Sequence, residues 1–385
     1  MISQLAPLVE AQLPGAVALR HRLHADPRVS GQEEDTAAAV CEAIGLPGEP
    51  VAGTGRLLRL GPATGPAVVL RAELDGLPVP EQTGLAYAST SGVMHACGHD
   101  AHCAALAAVA RAVAEVALPH GVLVLLQPRE EAAPTGAGDV VADPAFARHD
   151  VRAVIAAHVQ PVLPRGVVSA APGAVNASCD ELVIAVRGRG GHAAYPHRCD
   201  DPVLALCQTV AALHHLVSRR VDPLDSAVLT VGRLDAGTAS NVIPSVARAH
   251  GTLRALDAET RRVLLAAVRD VVVHTAASYG CEGTVAAVSN EPVLRNDPGL
   301  SGLVAPLLVE LGLHADTRFR SCGSDDFAHY GAVAPSVMLF VGVDDGSPGA
   351  PGLHDARFAP PDEVVGELAK AYLAGLVAAL GTLPE

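Results

Sequence analysis

Residues 121–131 read Gly-Val-Leu-Val-Leu-Leu-Gln-Pro-Arg-Glu-Glu. An unbroken apolar run with glycine before it and proline behind predicts a short strand, buried on both faces, over 121–127. Residues 67–73, 153–158 and 336–343 follow the same pattern. Helical stretches lie between them. Residues 101–116 are rich in alanine, and 361–380 keep apolar side chains at spacings of three and four. Strands alternating with helices predict an α/β fold, with a mixed, mostly parallel sheet flanked by helices.

The middle of the chain follows another order. A weakly alternating strand over 180–187 leads to a helix over 202–217. Strands at 227–234 and 246–256 come next, then a helix over 258–277 and a strand near 283–288. This β-α-β-β-α-β order is the ferredoxin-like pattern. We therefore expect an α+β domain at 177–288, inserted into a larger α/β domain made of 1–176 and 289–385.

The 385 residues are 50% hydrophobic and 18% charged, which excludes a disordered chain. Aromatics make up only 3% and tryptophan is absent, so the cores must be built from Ala, Val and Leu. The net charge is −14, Lys370 is the single lysine, and no basic face is evident. A nucleic-acid partner is not expected. No run approaches the ~20 apolar residues that span a bilayer, and the first residues lack the pattern of an export leader. The eight cysteines are scattered, as in a reduced, cytoplasmic protein.

The densest polar cluster is Met94-His95-Ala96-Cys97-Gly98-His99-Asp100-Ala101-His102. Cys97 and His99, two apart, would point the same way in an extended segment. A thiolate with an imidazole suits a borderline-soft divalent ion such as Zn, with Mn, Co or Ni less preferred. Asp100 could orient a ligand or cap the following helix. A buried cysteine beside surface histidines would give the same letters.

Glu130 and Glu131 directly follow the 121–127 strand, and loops leaving the carboxyl ends of parallel strands form the ligand crevice. One such carboxylate can hold a metal while its neighbour takes a proton from an activated water. A solvated acidic turn is the alternative. His158 closes the strand at 153–158, and Asp75 follows the strand at 67–73. His354 follows the strand at 336–343 and a Gly/Pro-rich loop. Five strand-to-loop junctions thus each deliver a Cys, His, Asp or Glu.

Taken in order, these motifs resemble the M20 family of metallohydrolases, in its amidohydrolase branch of hippurate, N-acyl-amino acid and auxin-conjugate hydrolases. The resemblance runs from Arg22-Leu23-His24-Ala25-Asp26-Pro27 through Arg71-Ala72-Glu73-Leu74-Asp75, the 95–100 cluster and Gln127-Pro128-Arg129-Glu130-Glu131. It continues through Gly190-Gly191-His192-Ala193-Ala194-Tyr195-Pro196-His197, residues 221–227, 237–244 and 251–254, and ends with Asp325-Asp326-Phe327 and Leu353-His354. It implies a zinc-peptidase-like fold with an inserted dimerisation, or lid, domain. It also implies two divalent metal ions per subunit, held by Cys97, His99, Glu131, His158 and His354, with Glu130 as general base. Asp75 would orient a ligand. His192 would reach the partner subunit's site in a homodimer and polarise the scissile carbonyl, while Asn241 and Arg254 would hold the substrate carboxylate. Four positions depart from the branch. Glu73 stands where Asp is usual, Arg129 replaces a small residue, Ser240 replaces Phe and Asp325 replaces Glu.

The expected activity is hydrolysis of small N-acyl-amino acids to a carboxylic acid and a free amino acid. A dipeptidase or aminopeptidase of the same fold, a thiol hydrolase using Cys97 and a non-catalytic small-molecule binder are the alternatives. An intact Glu130 argues against a binder, which has no use for a base.

Overall fold

The computed structural model describes residues 1–384. The chain divides into two compact units, each described by itself. The larger comprises Met1–Gly173, Arg295–Phe319 and Asp326–Glu385, and the smaller comprises Ala174–Leu294 and Arg320–Asp325. The smaller unit is wider than the 177–288 read from the sequence.

At the centre of the larger unit the strands Pro66–Glu73, Gly121–Gln127, Asp150–Pro164 and Ser336–Asp344 run parallel to one another. Gly55–Leu60 adds an antiparallel strand beside Gly121–Gln127, and Glu49–Val51 pairs antiparallel with that strand in turn. On the other side Val167–Ser169 runs antiparallel to Ser336–Asp344. The sheet is mixed and mostly parallel at its centre, and helices cover it. Gly121–Gln127 is buried at every residue, as an apolar run without alternation requires.

The helices Ala-rich in sequence are the ones packed deepest. In His99–Ala114 almost every residue is buried, and Val364–Leu380 is buried on nearly all sides. A helix apolar all round belongs inside a core. Small residues let the layers approach closely: a Cβ on Gly375 would lie 2.5 Å from Ile155 Cγ2.

In the smaller unit a four-stranded antiparallel sheet is ordered Ala227–Ala236, Val246–Ala255, Ser178–Arg187, Glu282–Glu291. The helices Pro202–His214 and Ala258–Ser278 cover it through Leu206, Leu213, Leu264, Val268 and Val272. This is the ferredoxin-like arrangement. Side chains of Asp201 and Asp257 cap the two helices by accepting from the first-turn amides.

Candidate metal centre and active site

Three parallel strands in the larger unit deliver side chains to one point. Asp75 follows Pro66–Glu73, the glutamates follow Gly121–Gln127, and His158 lies inside Asp150–Pro164, which continues six residues past it. The long strand was read from the sequence as ending at His158; Pro161 and Pro164 are tolerated at its far end because neighbours demand few amide donors there.

The 95–102 cluster folds differently from the extended segment expected. Gly98 is left-handed, with φ of 83°, and caps the helix His99–Ala114, which therefore starts at the ligand candidate itself. A Cβ at Gly98 would lie 2.8 Å from Val159 Cγ2, so glycine is needed both for conformation and for space. Cys97 and His99 reach the same point across this turn. Asp100 is no cap: it is buried in the first turn, where it accepts from Arg20 Nε at 3.2 Å and from His24 Nδ1 at 2.9 Å.

The donor atoms of Cys97, His99 and Glu131 all lie within 4.8 Å of one another. Cys97 Sγ is 3.4 Å from His158 Nε2, and His354 Nε2 is 3.3 Å from Glu131 Oε1. His99 Nε2 is 4.0 Å from both Glu131 Oε1 and Glu130 Oε2. The structure thus brings together Cys97, His99, Glu130, Glu131, His158 and His354.

The far side of each ring is fixed. His99 Nδ1 donates to the Asp75 carbonyl at 2.8 Å, and His158 Nδ1 to the Val159 carbonyl at 2.6 Å, which turns both Nε2 atoms toward the cluster. His99 Nε2 is fully buried and has no hydrogen-bond partner. His354 is a non-glycine residue with φ of 66°, held there by its own N–H on the Ala96 carbonyl at 2.9 Å. A left-handed histidine at a site costs strain that the fold must hold in place.

The electrostatics favour a cation. Burial would lower the His99 pKa, but Asp75, Glu73 and Glu131 push it up to about 10. The Glu131 contact raises His354 as well. Burial opposes ionisation of Asp75 and Glu131, yet the histidines hold both carboxyls down, Asp75 to about 2. An orphaned buried nitrogen, a sulfur and a carboxylate, set in an anionic cage, fit divalent metal ions with mixed N, S and O preference. Burial, then Glu131 and Glu130, push the Cys97 thiol well above its usual range, which disfavours a free thiolate nucleophile.

Beneath the cluster lie residues whose roles the sequence did not disclose. His102 donates from Nδ1 to Glu73 at 3.1 Å and accepts the Val159 N–H at 3.0 Å on Nε2, so both its nitrogens are used. Burial holds it neutral, its pKa lowered to about 3. Glu73 is long enough to meet Arg71 and His102 at once, which gives the longer carboxylate a use. Ser30 donates to Asp75 at 2.6 Å. The Arg129 guanidinium pairs with Asp139, while its backbone takes φ of 54°.

His192, Asn241 and Arg254 belong to the smaller unit. His192 pairs with Val242 in a two-stranded ribbon, and the Ala193 N–H bonds the Asn241 carbonyl at 3.0 Å. His192 is exposed, and its Nδ1 accepts the Ala194 N–H at 3.0 Å; the neutral ring therefore carries its proton on Nε2. Arg254 Nη1 donates to the Cys322 carbonyl at 3.1 Å and to Ser324 Oγ at 3.3 Å.

Residues 69–377 match Peptidase family M20/M25/M40. The chain belongs to this family. Among relatives of this M20 chain, N-acetyl-L-cysteine deacetylase of Bacillus subtilis (strain 168) is 37% identical over 344 residues, 87% of this chain and 81% of the relative. N-acetyldiaminopimelate deacetylase of Shouchella clausii (strain KSM-K16) is 35% identical over 301 residues, 78% of this chain and 79% of the relative. The M20 chain also resembles the crystal structure of a Bacillus subtilis protein described as a dinuclear metal binding peptidase from the M20 family. The two share a TM-score of 0.83 and 29% identity, over 97% of this chain and 100% of that one.

Proposed function

We propose that this M20 chain is a metal-dependent amidohydrolase that cleaves N-acyl-amino acids, such as N-acetyl or N-benzoyl compounds, to a carboxylic acid and a free amino acid. The convergence of Cys97, His99, Glu131, His158 and His354 around one point, with Glu130 beside it, carries this reading. The deacetylase names of the relatives point to the same bond. Two divalent ions bound by these five residues would supply an acidified water and a polarised carbonyl. The mixed donor set suits Zn, Mn, Co or Ni.

The chain's own residues do the rest. Glu130 takes a proton from the water as its oxygen attacks the amide carbon, then passes that proton to the nitrogen as the C–N bond breaks. Asp75, held down by His99, Ser30 and the Glu131 amide, keeps the His99 ring fixed on its far side. The Nε2–H of His192 is suited to donate to the carbonyl oxygen as it gains negative charge. Asn241 and Arg254 hold the substrate carboxylate. We assign His192 to the site of a partner subunit in a homodimer joined through the smaller unit.

We place the enzyme in the cytoplasm: among the described residues all eight cysteines are unpaired, as in a reducing compartment, and no helix is long and apolar enough to cross a membrane. Mixing inactive Glu130→Gln and His192→Ala chains tests the shared site. Recovered turnover in the mixture supports it, and a mixture as inactive as its parts overturns it.

A further inference from the structure

The loop 128–136 carries both Glu130 and Glu131, and its backbone is held by buried carboxylates. Glu33 accepts the Arg129 N–H at 2.9 Å, and Asp75 accepts the Glu131 N–H at 2.9 Å. Asp326 holds the two ends. Its Oδ2 accepts the Ala137 N–H at 2.9 Å and the Gln127 amide at 2.8 Å, while its Oδ1 accepts Gln127 at 2.9 Å and Arg71 Nη2 at 2.7 Å. Asp326 and Gln127 are fully buried. Gln127 is itself locked, since its Oε1 accepts Arg71 Nε and the Tyr330 hydroxyl, each at 2.8 Å. Between these ends the Gly136 N–H closes on the Arg129 carbonyl at 2.7 Å, where a Cβ on Gly136 would lie 1.9 Å from the Pro128 carbonyl oxygen.

We propose that Asp326 is a positioning residue: by clasping Gln127 and Ala137 it sets where the loop presents Glu130 and Glu131. This rests on the roles given to those glutamates above. The geometry requires acceptors at both carboxylate oxygens, because four donor contacts converge there. An asparagine would turn an NH2 group toward donors on one side, either Arg71 and Gln127 or Gln127 and Ala137. Arg71 keeps Glu73 as a counter-ion, so Asp326→Asn leaves a balanced buried pair beneath the site.

The test uses Asp326→Asn in the full chain. Hydrogen exchange of the 129–137 amides and competition between the protein and a chelator for Zn are measured on the resting protein, beside kcat and KM. The clasp predicts faster exchange in the loop, and Zn affinity and kcat each lower by about 10–100-fold, with KM changed less than threefold. Loop exchange and kcat within twofold of the parent overturn it. Where Asp326→Asn fails to fold, Ala137→Pro decides: it deletes one N–H in a first helical turn, where proline is tolerated. Faster loop exchange with lower kcat then supports the clasp, and parental values overturn it. Exchange and Zn binding are read without substrate, so they remain decisive even if Glu130→Gln proves fully active and removes the base assignment.

Discussion

Cys97 Sγ and His158 Nε2 lie 3.4 Å apart, although 61 residues separate them in sequence. The turn at Gly98 delivers the sulfur and a buried parallel strand delivers the ring. In the proposed reading both are metal ligands. Cys97→Ser should keep the fold, bind Zn at least ~100-fold more weakly and lose activity in proportion, because even residues that only orient ligands are worth about 10–100-fold. Chelator competition checks the affinity.

Glu130 separates catalysis from binding. Glu130→Gln keeps the side chain's size and removes its ability to take a proton. Metal content and KM should stay near the parent's, while kcat falls by about 10²–10⁴-fold. Parental kcat would leave the base assignment without support.

Gly98→Ala probes the backbone under the site. A left-handed alanine costs roughly 1–2 kcal/mol, and its Cβ would also meet Val159. The unfolding free energy should fall by at least that amount, read as a lower denaturation midpoint with an unchanged m-value. Metal affinity should fall with it, since Cys97 and His99 flank the turn.

His24 ties the first helix to the helix that carries His99. It is buried, donating to Asp100 at 2.9 Å and to Glu81 at 3.1 Å. Burial alone would lower its pKa, but Asp100 and Glu81 raise it to about 9. A raised folded-state pKa means that the stabilisation is complete below about pH 6.5 and drains away as pH climbs through about 9. His24→Gln should therefore lose on the order of 3 kcal/mol at pH 6 and progressively less by pH 9.5. Urea melts across that range measure the gap; a gap independent of pH would contradict the charged pairing.

Much of this was legible in the sequence, and the parts that were not share a cause. The apolar runs at 67–73 and 121–127 mark core strands because a two-sided buried strand needs no alternation, and the chemistry-bearing residues follow them directly. The start of the helix at His99 was missed because its cap is a left-handed glycine with no capping side chain. The partners beneath the site were hidden by distance along the chain. Arg71 meets Asp326 across 255 residues and Arg20 meets Asp100 across 80, and no local pattern announces such pairs. Glu73 stands where Asp is usual, and its use lies in the fold, where His102 meets its second oxygen.

The most direct test strips the protein of metal and titrates Zn, Mn, Co or Ni back while following hydrolysis of N-acetylcysteine and N-benzoylglycine. The account predicts no turnover in the stripped protein, binding of two ions per chain, and turnover that rises with that loading. Full turnover in metal-free protein, or two-ion loading with neither these nor other N-acyl-amino acids cleaved, would contradict it.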